Sequence, residues 1–346
     1  MSTVIKVLIV DDSALVRGIL ERGLSKDPEL RVVGTAHNPY EARDLLVELS
    51  PDVMTLDVEM PRMDGVTFIK KFMAVLPTPT VVLSSLTTRG STLALQALEA
   101  GAVDVMAKPS SAVAGGLEGM MEELIRRVKV AARARVARKD APVLDAGTPQ
   151  AALDNTTDAV IGLGASTGGV AALTRILPVF PGWSPGVVVV QHMPAGFTRD
   201  FADRLSEMCK MKVSEAREGD RVLRGHILVG PGGDKHVEVR RFGGEYRITL
   251  TDGPPVSGHR PSVDVFFRSL AKNVGKNAAA CLLTGMGEDG ASGLKDLRLA
   301  GGRTFAQDQE TSAVWGMPAA AAQLGAAERL LPLQEVPRVL VNVLSS

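Results

Sequence analysis

KVLIVDD (6–12) sets the class of the chain. Its apolar run is too short for a helix and has the composition of a buried strand. Two aspartates end it, and residues 14–24 follow with apolar side chains at helical spacing. The same unit recurs. RVVGTA (31–36), DVMTL (52–56), TVVLS (80–84) and VDVMA (103–107) read as strands. Segments such as 40–49 and 91–100 read as helices, and a last helix is expected near 117–136. Strands separated by helices imply a parallel sheet with right-handed crossovers.

Beyond that helix the composition changes. ARKDAPVLDAGTPQAALDNTTD (137–158) has no apolar period and is rich in Ala, Asp, Pro, Gly and Thr, as exposed linkers are. Then the alternation resumes. AVIGLG (159–164), GVVVVQ (186–191) and AAACLLT (278–284) read as buried strands. HILVG (226–230), HVEVR (236–240) and YRITL (246–250) lie close together between Gly-rich breaks, and together suggest an antiparallel excursion. The expected organisation is α/β throughout. A five-stranded domain spans 1–125, a helix end and linker 126–157, and a larger, doubly wound, mainly parallel domain 158–346.

Composition narrows the function. The 346 residues carry 39 basic and 39 acidic side chains, so there is no bulk attraction to nucleic acid or an anionic membrane. No apolar run approaches the ~20 residues of a membrane-spanning helix, and the N-terminus lacks the pattern of a signal peptide. Cys209 and Cys281 are isolated and fit neither a disulfide framework nor a zinc site. A cytoplasmic protein with reduced thiols is expected, without membrane insertion.

The first domain carries an acidic pocket. Asp11 and Asp12 end the first strand and Asp57 the third, at the carboxyl edge where open parallel sheets bind ligands. Three carboxylates there repel one another unless a cation neutralises them, and hard oxygen ligands with room for water suit Mg²⁺. Lys108, after the fifth strand, could pair with a phosphoryl oxygen, and Ser84, after the fourth, could hydrogen-bond to one. Pro109 is expected to fix the turn that aims the lysine. The whole spacing, DD after strand one, D-x-x-M-P-x-M-D-G from Asp57 to Gly65, Ser84 and Lys108-Pro109, resembles the receiver domain of two-component response regulators. The resemblance implies a flavodoxin-like domain in which a histidine kinase phosphorylates Asp57. It also implies Mg²⁺ held by Asp12, Asp57 and the backbone carbonyl of Glu59 with help from Asp11, and Ser84 as the switch hydroxyl. Val105 stands where many receivers carry a switching Tyr or Phe.

The second domain carries a different chemistry. Ser166 lies in Gly164-Ala165-Ser166-Thr167-Gly168-Gly169, a tight strand-to-helix turn that exposes a hydroxyl beside a helix N-terminus. The same turn could cradle a phosphate or supply a helix cap. His192 follows the strand GVVVVQ, at the same sheet edge as Ser166, whereas His37, His226, His236 and His259 have no such setting. Asp289 follows the strand AAACLLT, and Glu288 competes with it as the acid. Chain order is Ser, His, acid, so the G-x-S-x-G match does not indicate the α/β-hydrolase fold, which runs Ser, acid, His. Gly162-x-Gly164 lacks the third glycine of a dinucleotide fingerprint, since Thr167 stands there. The loop Asp252–Pro261, with its arginine and prolines, reads as solvated surface.

IGLGASTGG, VVVVQHMP and LLTGMGEDGA, after a receiver and a linker, closely resemble the chemotaxis protein-glutamate methylesterase/glutamine deamidase family, CheB. The resemblance implies Ser166 as nucleophile, His192 as general base and acid, and Asp289 as the orienting carboxylate. It places a backbone N–H of Met286 in the oxyanion hole and Thr167 beside the nucleophile, with no cofactor for hydrolysis. The implied substrates are glutamyl methyl esters, and specific glutamines, on chemoreceptors. The implied control is a receiver that limits access to the triad until Asp57 is phosphorylated.

Overall fold

The computed structural model describes residues 4–73, 75–85, 87–108, 116–135 and 159–344. The segment 137–158 and Pro109 lie outside the described residues. The chain divides into two compact units, Met1–Arg138 and Lys139–Ser346.

The first unit runs β1 (Ile5–Val10), α1 (Ala14–Leu24), β2 (Leu30–Ala36), α2 (Pro39–Leu49), β3 (Val53–Asp57), α3 (Gly65–Phe72), β4 (Thr80–Ser84), α4 (Thr88–Glu99), β5 (Asp104–Ala107) and α5 (Gly116–Ala131). Its sheet has the order β2-β1-β3-β4-β5 and is parallel throughout. β3 and β4 are buried along their whole length, as a sheet covered by helices on both faces requires. Ser13, Asn38, Asp64 and Thr87 cap α1 to α4 with side-chain oxygens that accept from the first-turn N–H groups. α5 belongs to this core well past residue 125, since Leu124, Val128 and Ala131 are buried in it.

The second unit runs β6 (Val160–Ala165), α6 (Gly169–Ile176), β7 (Gly186–Gln191), α7 (Phe197–Ser206), β8 (Lys212–Glu215), β9 (His226–Val229), β10 (His236–Phe242), β11 (Glu245–Thr251), α8 (Val263–Asn273), β12 (Ala278–Leu282), α9 (Ala291–Leu299), β13 (Arg303–Gln307), α10 (Met317–Gln323), β14 (Arg329–Leu331) and α11 (Val336–Asn342). Its main sheet is parallel, in the order β14-β13-β12-β6-β7-β9-β8. The antiparallel excursion is therefore smaller than the spacing suggests. Of the three segments, β10 and β11 pair that way, while HILVG joins the parallel sheet as β9.

Two local features hold this architecture together. Gly162 and Gly164 on β6 leave room for α8: a Cβ at Gly164 would lie 2.2 Å from Val263 Cγ1, and one at Gly162 would lie 2.6 Å from Leu270 Cδ1. The glycine pair thus serves helix–strand packing. The β10–β11 ribbon stays attached because α8 satisfies its exposed edge. Val239 N–H donates to Ser269 Oγ at 2.9 Å, and Asn273 Nδ2 donates to the Val239 carbonyl at 3.0 Å. Buried Phe266, Phe267, Val237 and Ile248 fill the layer between them.

Candidate active site and phosphoacceptor pocket

In the second unit the chain leaves β6 toward β7 on one side and later returns to β12 on the other. That reversal opens a crevice at the carboxyl ends of β12, β6 and β7. The three residues singled out from sequence follow those strands. Backbone bonds tie the strand ends together: Ser166 N–H donates to the Thr284 carbonyl at 3.0 Å, and His192 N–H to the Ala165 carbonyl at 3.1 Å.

Ser166 does not cap α6. Gly168 is the N-cap residue, at φ 77°, and makes no side-chain cap bond. A Cβ there would lie 2.5 Å from Ala313 Cβ, so glycine is needed both for the turn and for the space. The hydroxyl of Ser166 remains available for other work.

His192 Nε2–H donates to Asp289 Oδ2 at 2.8 Å, and both side chains are almost wholly buried. Its other nitrogen, Nδ1, is buried without a hydrogen-bond partner among the described residues. A buried polar atom left unpaired is costly and asks for an explanation. Here it is the nitrogen free to accept a proton from a group at the crevice.

Asp289 is held by the N-terminus of α8. Ser262 Oγ donates to its Oδ1 at 2.7 Å, Val263 N–H to Oδ2 at 2.7 Å, and Asp264 N–H to Oδ1 at 3.2 Å. Burial alone would raise its pKa. The bonds from His192, Ser262 and Val263 outweigh burial and hold the carboxyl below the usual carboxylate range. Glu288 is exposed, so the two adjacent acids are separated by burial where spacing left them equal.

Around this pair the structure adds residues that the sequence did not single out. Gln191 Nε2 lies 3.0 Å from both the Ser166 and the His192 carbonyls, clamping the two turns to each other. Thr284 Oγ1 lies 3.0 Å from the Thr167 carbonyl and accepts from Val314 N–H at 2.9 Å. The Met286 N–H has no partner among the described residues, and Thr167 is buried beside Ser166.

Two histidines without an evident setting in the sequence also belong here. His236 Nε2–H donates to the Pro254 carbonyl, and its Nδ1 accepts from Ser262 N–H. The ring of His259 stacks on that of His192. Of the loop expected to be solvated surface, Asp252, Pro254, Pro255, Ser257 and Gly258 are exposed as expected, while the His259 ring and the Pro254 carbonyl make the contacts just described. Sequence spacing could not reveal this, because the loop reaches the crevice only through the turn into α8.

In the first unit Asp11 and Asp57 are fully buried, and Asp12 is exposed beside them. Ligand oxygens of the three lie within 4.8 Å of one another. Lys108 Nζ pairs with Asp57 Oδ2 at 2.6 Å and Asp11 Oδ2 at 3.0 Å. Burial pushes the Asp57 carboxyl up to about 6 in spite of the lysine. Ser84 is buried at the end of β4, where its Oγ donates to the Ser85 carbonyl at 3.2 Å. Glu59 N–H donates to Asp57 Oδ1 at 2.8 Å, and its side chain bonds to Ser85 Oγ. Asp64 caps α3, and a Cβ on Gly65 would lie 2.7 Å from the Asp57 carbonyl oxygen. The Asp-Gly pair in the motif thus lets α3 start hard against β3. Val105 is buried on β5.

The donor set fits a hard divalent cation. Carboxylate oxygens converge, one acid is exposed enough to swing toward a ligand, and a single lysine leaves Asp57 under-compensated. Among the described residues no helix is long and apolar enough to cross a membrane.

Comparison with known proteins matches both domains. Residues 161–340 match the family described as CheB methylesterase, and residues 7–114 match the response regulator receiver domain. A protein-glutamate methylesterase/protein-glutamine glutaminase of Syntrophotalea carbinolica is 51% identical over 346 residues, covering 99% of this chain and 98% of that one. A second, from Pseudomonas aeruginosa, is 53% identical over 340 residues, covering 98% of this chain and 96% of that one. The crystal structure of the Thermotoga maritima CheB methylesterase catalytic domain superimposes with a TM-score of 0.53 at 34% identity, covering 54% of this chain and all of that one.

Proposed function

The chain belongs to the CheB methylesterase family, and from that premise we propose that it hydrolyses glutamyl methyl esters on chemoreceptors under control of Asp57 phosphorylation, in the cytoplasm. The observation that carries the mechanism is the buried His192–Asp289 bond, which leaves Nδ1 of the same ring unpaired at the crevice holding Ser166.

Ser166 Oγ attacks the ester carbonyl while His192 Nδ1 takes its proton. Asp289 keeps the Nε2–H tautomer and stabilises the imidazolium as it forms. The developing oxyanion meets the Met286 N–H, a donor that needs no reorganisation at the moment of reaction. Nδ1–H then gives its proton to the departing methoxide, methanol leaves, and water hydrolyses the acyl-enzyme to glutamate. A glutamine presents the same acyl carbon with ammonia as leaving group, so the same groups deamidate it. Thr167 shapes the turn beside the nucleophile.

In the receiver, a histidine kinase supplies the phosphoryl group and Asp57 accepts it. Asp11, Asp12, Asp57 and the Glu59 carbonyl would hold Mg²⁺, whose charge offsets that of the incoming phosphoryl oxygens. Lys108 transfers its ion pair from Asp57 to the phosphoryl group, and Ser84 turns its hydroxyl toward it.

The test is methanol release from methylated receptor membranes, with and without acetyl phosphate and Mg²⁺. Ser166→Ala should abolish release, and Asp57→Asn should leave only the rate seen without the phosphodonor. Release that persists in Ser166→Ala would refute the acyl-enzyme route.

A further inference from the structure

The imidazole of His259 lies face to face on that of His192, with ring centroids 3.7 Å apart and planes 14° from parallel. The backbone presents it there. Val256 and His259 exchange N–H···O bonds of 3.2 and 2.9 Å around Ser257 and Gly258, whose φ angles are 52° and 80°. Two successive positive φ values define the tightest kind of two-residue turn. Residues on either side fasten the loop. Arg260 Nη1 donates to the Gly253 carbonyl at 3.0 Å, and His236 bridges the Pro254 carbonyl and Ser262 N–H at 3.0 and 3.2 Å. Ser262 is the residue that also bonds to Asp289. The stacked ring and the carboxylate partner of His192 are therefore set by one continuous segment.

Among the described residues His192 makes a single side-chain hydrogen bond, through Nε2. A ring tethered at one nitrogen can still tilt about that bond, and tilt changes the direction in which Nδ1 faces. A flat surface against one face removes that freedom. We propose that His259 is a positioning residue for catalysis: its ring fixes the plane of His192, and with it the direction of the unpaired Nδ1, while Nε2–H stays on Asp289. This rests on the hydrolase reading above. His259 contacts the ring by its plane, so the role asks for a flat face.

The experiment measures kcat and KM for methanol release by phosphorylated full-length protein, together with the nitrogen-15 ring resonances of His192. Displacing a catalytic group by about 1 Å costs on the order of 100-fold, so His259→Ala should lower kcat by about 10- to 100-fold with KM little changed. Its His192 ring signals should broaden or average between tautomers. His259→Phe, which restores a flat ring without nitrogens, should recover kcat to within about threefold of native and sharpen those signals. If His259→Ala does not fold, His259→Leu takes its place, filling volume without a flat face. Three results overturn the proposal: an alanine variant with native kcat, a change confined to KM, which would make His259 a substrate contact, or a phenylalanine variant as slow as alanine. Ser166→Ala is measured alongside. If that variant hydrolyses normally the hydrolase reading itself fails, whereas an inactive Ser166→Ala beside a fully active His259→Ala removes only the stacking role.

Discussion

Asp289→Asn separates the two things the carboxylate does, holding the imidazole tautomer and supplying a negative charge. The amide can be placed in two ways. With its NH₂ at the Oδ2 position it would face Val263 N–H, a backbone donor at 2.7 Å that cannot turn away. With its NH₂ at the Oδ1 position it would face Ser262 Oγ, which can rotate to accept, and Asp264 N–H, the longest of the bonds at 3.2 Å. The second placement is the cheaper. It keeps an oxygen on His192 Nε2–H, so the tautomer survives and mainly the charge is lost. Two unit charges about 4 Å apart at an effective dielectric near 20 interact by about 4 kcal/mol, or close to 10³-fold in rate. The expected loss in kcat is therefore about 10²- to 10³-fold, less than for Ser166→Ala. One backbone donor left unpaired should cost about 1–3 kcal/mol of stability. The assay is initial-rate methanol release from methylated receptor membranes, with urea unfolding of the same preparations. A variant within tenfold of native kcat would refute the charge argument. So would a Glu288→Gln variant that is the more damaged of the two.

Four further outcomes are expected. Asp57 has a folded pKa raised from 3.8 to about 6, so its ionisation opposes folding, by nothing below pH ~3.8 and by about 3 kcal/mol above pH ~6. Stability of the first unit should fall across that window in native protein, and this component should vanish in Asp57→Asn, which also loses phosphorylation; an unchanged pH profile in unfolding curves would count against the burial. Asp289 has the opposite sign: its depressed pKa contributes stability above pH ~3.8 that is lost as pH falls further, so the stability of the second unit should fall more steeply below that pH in wild type than its other carboxylates predict, and Asp289→Asn should flatten that limb. Gln191→Leu removes both bonds of the clamp, at about 1 kcal/mol each, and should lower kcat by about tenfold with KM unchanged, since it touches Ser166 and His192 only through their carbonyls; a change in KM alone would contradict that role. A fragment starting at Asp158 should fold cooperatively in a thermal melt, because the core of the second unit draws on its own residues.

Sequence by itself determined the strand–helix alternation, the two-domain division and which polar side chains stand at each sheet edge. Apolar runs ending in Asp11, Asp57, Ser166 and His192 are local patterns, and a parallel sheet sends every such end to one edge. Some decisions needed tertiary structure. HILVG entered the parallel sheet as β9 because pairing partners are chosen across the chain, and a four-residue apolar strand carries no mark of its direction. Asp289 and Glu288 are adjacent and chemically alike, and only the α8 N-terminus, with three donors aimed at one of them, separates the buried acid from the solvated one. Gly162 and Gly164 lack the rest of a dinucleotide fingerprint, but only Val263 and Leu270 packed against them show what the two glycines are for. His259 and His236 were invisible in the same way. His259 sits on a loop folded back by a turn at Ser257-Gly258 onto a ring some 67 residues earlier in the chain (259 − 192), His236 on β10 meets the same segment at the Pro254 carbonyl and Ser262 N–H, and no local spacing encodes contacts made across such distances.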